Sequence, residues 1–123
     1  MLYRDAAVPE GPGTVTYRTG AQRSADAEHL RYDLITPVGL EAVARAACDG
    51  AHKYGDFNWE RGMAASVLLN HALRHIYLFL QGDRSEDHLG HAGWNVLGAI
   101  HSVEMWPELN EGTLRKELVD YEV

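Results

Sequence analysis

The sequence predicts an all-α fold, a bundle of three to four helices with an extended N-terminal arm. Three observations predict it. Apolar residues recur at helical spacing through three long stretches between residues 37 and 106, Pro37 and Pro107 bracket that region, and the first 36 residues hold Pro9, Gly11, Pro12, Gly13 and Gly20 without a sustained period. Residues 1–17 are therefore expected to be a flexible arm, with one short strand at 14–17, and residues 18–123 a single all-α domain.

The first helix is expected over residues 37–52, where Thr36 can cap, Pro37 suits the first turn, and Val38, Leu40, Val43, Ala44 and Ala47 follow near helical spacing. The second, over 65–81, carries Leu68, Leu69, Ala72, Leu73, Ile76 and Leu80 without a breaker, and Gly82 follows it. Ser85 as cap, with Glu86 and Asp87 in a first turn, opens a third helix reaching about Trp106. Gly90, Gly93 and Gly98 inside it each cost up to about 1 kcal/mol relative to alanine, so close packing, expected against the second helix, must compensate. Residues 113–121 have the pattern of a short terminal helix.

At 123 residues, 46% hydrophobic and 24% charged, the chain can bury one core without disulfide or metal staples. Its one cysteine, Cys48, reads as a small core residue of the first helix. There is neither an apolar run of the roughly 20 residues that span a membrane nor a signal-peptide core, so no membrane partner and a cytoplasmic location are expected. A net charge of −7 disfavours a nucleic-acid polymer as partner. Nine of the eleven Lys and Arg lie in residues 1–84, however, which leaves room there for a local anion site.

Five of the seven histidines fall on the second and third helices. His71 and His75, with Arg74 beside them, share one helical face, and His88, His91 and Asn95 form a stripe at i, i+3 and i+7. If the two helices pack antiparallel the stripes converge. His71, His75, His88 and His91 then have the donor types of a metal site, which Asp83, Glu86 or Asp87 could complete. The alternatives are partly buried histidines hydrogen-bonded to backbone or to one another, with Arg74 paired to an acid, or direct roles: His75 or His91 as general base, His71 as a donor to phosphate.

Arg18, Arg23, Arg31, Lys53, Arg61 and Arg74 could supply phosphate contacts, or be ordinary solvated charges. Tyr54, Phe57 and Trp59 beside Asn58 could stack on a base while the amide reads its edge, or could simply pack against helices. No phosphate-binding glycine loop, dinucleotide fingerprint, esterase elbow or zinc-protease motif is present.

The segments RTGAQR (18–23), RYDLITP (31–37), KYGDFNWERGM (53–63), LLNHALRH (68–75) and HLGHAGWN (88–95) together resemble the phage-encoded dATP/dGTP diphosphohydrolase N-terminal domain family. The resemblance covers about residues 18–104. It implies hydrolysis of purine deoxynucleoside triphosphates to monophosphate and pyrophosphate, in the host cytoplasm if the chain is phage-encoded. A looser likeness is to the all-α MazG-type pyrophosphohydrolases, in which acidic pairs on two helices hold Mg; here imidazoles stand at the analogous places.

On that reading Arg31, Lys53 and Arg74 hold the phosphates, while Asn58, Trp59 and Asn95 contribute to the substrate pocket. His75, His91 and Asp87 do the chemistry. A divalent ion, Mg, Mn or a softer transition metal, is held by some of His71, His75, His88, His91 and Asp87. A rival reading is a nucleotide-binding protein that sequesters its ligand without turnover, and a third is an interaction module using the acidic C-terminal third. Short helices with a loose arm bury limited surface alone, so a homo-oligomer is expected.

Overall fold

A computed structural model describes residues 13–25 and 30–111. Its elements run β1 (Thr14–Thr16), β2 (Gln22–Ser24), a 3-10 turn (Tyr32–Leu34), α1 (Pro37–Tyr54), a 3-10 turn (Asn58–Arg61), α2 (Ala65–Leu80), α3 (His88–Met105) and a 3-10 turn (Pro107–Asn110). Contacts divide the chain into residues 1–35 and 36–123. No helix among the described residues is long and apolar enough to cross a membrane. The expected terminal helix at 113–121 lies outside the described residues.

In the first unit β1 and β2 form an antiparallel hairpin that pairs Thr14 with Ser24 and Thr16 with Gln22, around a turn in which Gly20 takes φ 92°. Only the first of these strands is expected from the sequence. Gln-Arg-Ser has no apolar alternation, because both strands are exposed and neither builds a core face.

The second unit is the helical bundle. Thr36 caps α1 by accepting the Gly39 amide, with Pro37 in the first turn. The more buried positions of α1 follow the series Gly39, Val43, Ala46 and Gly50. Cys48 falls off that seam and is exposed, contrary to the expectation of a core cysteine.

Helix α2 has Ala64 at its N-cap, a residue whose methyl group cannot accept a hydrogen bond. The missing acceptor comes from 45 residues away: Asn110 Oδ1 takes the Ala65 amide at 2.8 Å, while its Nδ2 donates to the Ser102 and Trp106 carbonyls. Ser102, fully buried, donates to the Met63 carbonyl at 2.6 Å. Beneath this polar clip Ala65, Leu68 and Ala99 form the small central core, with Met63 and Trp94 packed on it.

Helix α3 packs against both other helices. Its N-cap is Asp87, which accepts the Gly90 amide, rather than Ser85. Ser85 is engaged one step earlier, where its hydroxyl and amide both donate to Asp83 Oδ1 and close a tight turn. The glycines also divide differently from expectation. A Cβ on Gly98 would meet Leu68 of α2 at 3.3 Å, but one on Gly90 would meet the Ala42 carbonyl of α1 at 2.8 Å and one on Gly93 would meet Val43. Two of the three therefore admit α1, not α2.

Candidate functional site

Gly98 lies against Leu68, and the His91 ring lies against the His75 ring, so α2 and α3 run antiparallel and their histidine stripes converge at one end. His75 Nδ1 and His88 Nδ1 are 2.9 Å apart, one donating and the other accepting. The His75 and His91 rings stack with centroids 5.1 Å apart. His75 and His88 are buried, and His91 is partly so.

Carboxylates close around them from two sides. Glu86, in the turn before α3, places Oε1 3.6 Å from His75 Nδ1. Asp83 Oδ1 stands 3.3 Å from His88 Nε2, a buried nitrogen that forms no well-aligned hydrogen bond. From α1, Asp49 brings Oδ2 to 3.4 Å from His91 Nε2. His75, Glu86 and His91 together offer three ligand atoms, all within 4.8 Å of one another.

Burial holds the His75 imidazole below its ordinary pKa; the Glu86 carboxylate opposes this, and the His91, His88 and Arg74 charges reinforce it. Asp83 is held down to about 2, first by the Ser85 hydroxyl and amide and then by His88. For His75 in metal-free protein the sign is definite. As pH falls below 6.5 the unfolded chain takes up a proton that the folded imidazole refuses, so stability present above that value is lost toward the lower folded pKa. Thermal melts with a chelator at stepped pH should show this acid limb, and His75→Gln should flatten it. An unchanged limb in His75→Gln would contradict the assignment.

The other residues singled out from the sequence lie as follows. His71 is exposed on α2 and does not join the cluster, and Arg74 is exposed beside it. Asp87 is engaged as the cap of α3. Asn95 is buried one turn beyond His91 and donates to the His91 carbonyl at 2.8 Å. Lys53 is exposed in the last turn of α1, and Asn58 is half-buried in the following 3-10 turn. Arg31 belongs to the first unit, where it makes a two-pronged pair with Asp33 at 2.7 and 2.6 Å.

Asp49 had not been singled out. An aspartate inside a helix, between Cys48 and Gly50 in an alanine-rich run, is poor helix material and was the available signal. Trp94, His101 and Trp106 were also missed as a group. Together with Trp59 they wall an apolar cavity of about 360 Å³ between the helices. His101 sits edge-on between Trp59 and Trp106, at centroid distances of 5.0 and 4.9 Å. Tyr54 and Phe57, expected beside Trp59, are exposed.

The second unit is thus a helical bundle that gathers imidazoles and carboxylates at one end and walls an aromatic cavity between its helices. The comparison with protein families makes the class specific: the chain belongs to the dATP/dGTP diphosphohydrolase N-terminal family, a nucleotide hydrolase family, whose model matches residues 19–111. No curated protein and no solved structure matches it.

Proposed function

We propose that this chain is a metal-dependent nucleotide pyrophosphohydrolase that cleaves purine deoxynucleoside triphosphates to the monophosphate and pyrophosphate. The observation that carries the reading is the convergence of His75, Glu86 and His91 in a member of this family. Two imidazoles and one carboxylate suit Mn, Fe, Co, Ni or Zn better than Mg, which prefers an all-oxygen shell. When bound, such an ion supplies charge neutralisation on the phosphates and a more acidic water. Asp49 fixes the His91 ring and His88 fixes the His75 ring, so both imidazoles are oriented before any ligand arrives. Arg74, next to His75, and Lys53 bring the positive charge that phosphate oxygens need.

A single carboxylate in the trio also favours the second reading, binding without turnover, because it gathers hard cations poorly. A panel of deoxynucleoside and nucleoside triphosphates, each incubated with Mg, Mn, Co or Zn, separates the two. Monophosphate plus pyrophosphate from dATP or dGTP supports the hydrolase; intact nucleotide recovered from denatured protein, with no product, replaces it by the binder.

For the assembly we infer a homo-oligomer formed through α2 and α3. Leu69, Leu73, Ile76 and Leu80 recur at heptad spacing on α2, and Leu89, Val96, Ile100 and Val103 nearly so on α3; all are exposed, and no charge interrupts either series. Burying these half-exposed side chains against their own copy contributes on the order of 10 kcal/mol toward association. A face without charge has nothing to select a different partner, whereas a two-fold axis matches it to itself and completes a four-helix bundle. Sedimentation should give a dimer, and Leu73→Glu with Ile100→Glu a folded monomer. A monomeric parent protein would refute the interface.

A further inference from the structure

We propose that the cavity walled by Trp59, Trp94 and Trp106 is the base pocket of the nucleotide site, taking a purine stacked on indole with its edge toward His101. The proposal rests on the reading above for the nature of the ligand, and on separate residues for the place.

The cavity, about 360 Å³, falls within the range of small-ligand pockets. All three tryptophans of the chain line it. The rest of the wall is aliphatic, and His101 is the one titratable group among the described residues that form it. Among the described residues its lining holds no Lys or Arg to meet a triphosphate. A flat heterocycle suits it, since indole faces offer stacking to any base and the larger purine ring covers more of them. His101 supplies what stacking lacks. Its ring meets two indoles in T-shaped contacts, and no hydrogen bond among the described residues occupies its nitrogens, so they remain available to the polar edge of a base.

Position ties the cavity to the histidine cluster along two helices. On α3, Trp94 of the wall follows His91 by one turn; on α2, Leu68 of the wall precedes His75 by two turns, about 10 Å along the axis. These separations along α2 and α3 are within the span of one nucleotide, with its aromatic end in the cavity and its anionic end toward the cluster. Gly98 keeps the floor open: a Cβ there would already press on Leu68 at 3.3 Å.

The test uses the tryptophans themselves, because every one of them faces the cavity. The full-length protein is titrated with deoxyguanosine and with deoxyadenosine, neither of which has a phosphate, in the presence of a chelator, with indole excited beyond purine absorption. Saturable quenching is expected. Ala47→Phe, which fills the cavity from an exposed position on α1, should abolish it while circular dichroism shows the helices intact. Trp94→Ala should weaken binding roughly 10- to 100-fold, the loss of one stacked ring, and Arg45→Ala, exposed on α1 and outside the cavity wall, should leave it unchanged. No saturable change with either purine, or a change that persists in Ala47→Phe, overturns the proposal. So does quenching set by protein concentration alone, which would mean that a second copy fills the cavity. Quenching by nucleosides without hydrolysis of any triphosphate would sink the catalytic reading and leave the pocket standing.

Discussion

His91→Ala is expected to lower turnover of dATP or dGTP by about 10²- to 10⁴-fold, the span over which a directly acting imidazole contributes, and to remove binding of a transition metal measured by calorimetry. Three features converge on this ring. It belongs to the trio that could hold the ion, it stacks on His75, and Asp49 reaches it from α1. Removing it leaves two donors from the trio and an exposed carboxylate on α1 without a partner. His88→Ala should behave differently, because His88 touches His75 and not the trio's open side: a loss of about 10- to 100-fold, characteristic of a group that orients a ligand, is expected there. Lys53→Ala should raise KM for the triphosphate with its metal affinity intact. Equal activity in wild type and His91→Ala would remove the metal site from the mechanism, whatever the other variants do.

The contrast between His91 and Asp49 marks what periodicity can and cannot reveal. His88, His91 and Asn95 announce a helical stripe, and an antiparallel hairpin of two neighbouring helices is the only assumption needed to bring His75 to it. Asp49 comes from a helix separated by a loop, and nothing in local spacing says which face of α1 meets α3. The same limit explains Cys48. Its alanine-rich surroundings permit several seams, and packing against Gly90 and Gly93 selects the one through Val43 and Ala46. Helix ends were legible where the cap is adjacent, as at Thr36. They were misread where a side chain had a stronger local partner, as Ser85 has in Asp83. The start of α2 was placed correctly, yet its capping group, Asn110, could not be inferred, because the pairing spans most of the bundle. The cavity was legible only through Trp59. Its other aromatic walls, Trp94 and Trp106, are spread along α3 and beyond its end, where single indoles read as ordinary core.

Gly90→Ala should destabilise the protein by about 1–3 kcal/mol, the usual penalty for forcing extra volume into a packed contact, and Gly50→Ala should stabilise it by about 0.4–1 kcal/mol. Both glycines are helical, so propensity alone predicts a gain at each. At Gly50 nothing lies within 4 Å of the added Cβ, and the gain stands. At Gly90 the Cβ would fall 2.6 Å from Asp87 Oδ2 and 2.8 Å from the Ala42 carbonyl. The aspartate could swing away only by giving up the cap of α3, and the carbonyl is backbone, so it moves only if α1 moves. Either adjustment reaches the candidate site. Displacing α1 carries Asp49 away from His91, and loosening Asp87 frees the turn that holds Glu86. Gly90→Ala should therefore weaken metal binding as well as lower the denaturation midpoint, whereas Gly50→Ala raises the midpoint and leaves the metal titration unchanged. If Gly90→Ala proves as stable as wild type, α1 is not held against α3 by this contact, and the orienting role given to Asp49 loses its support.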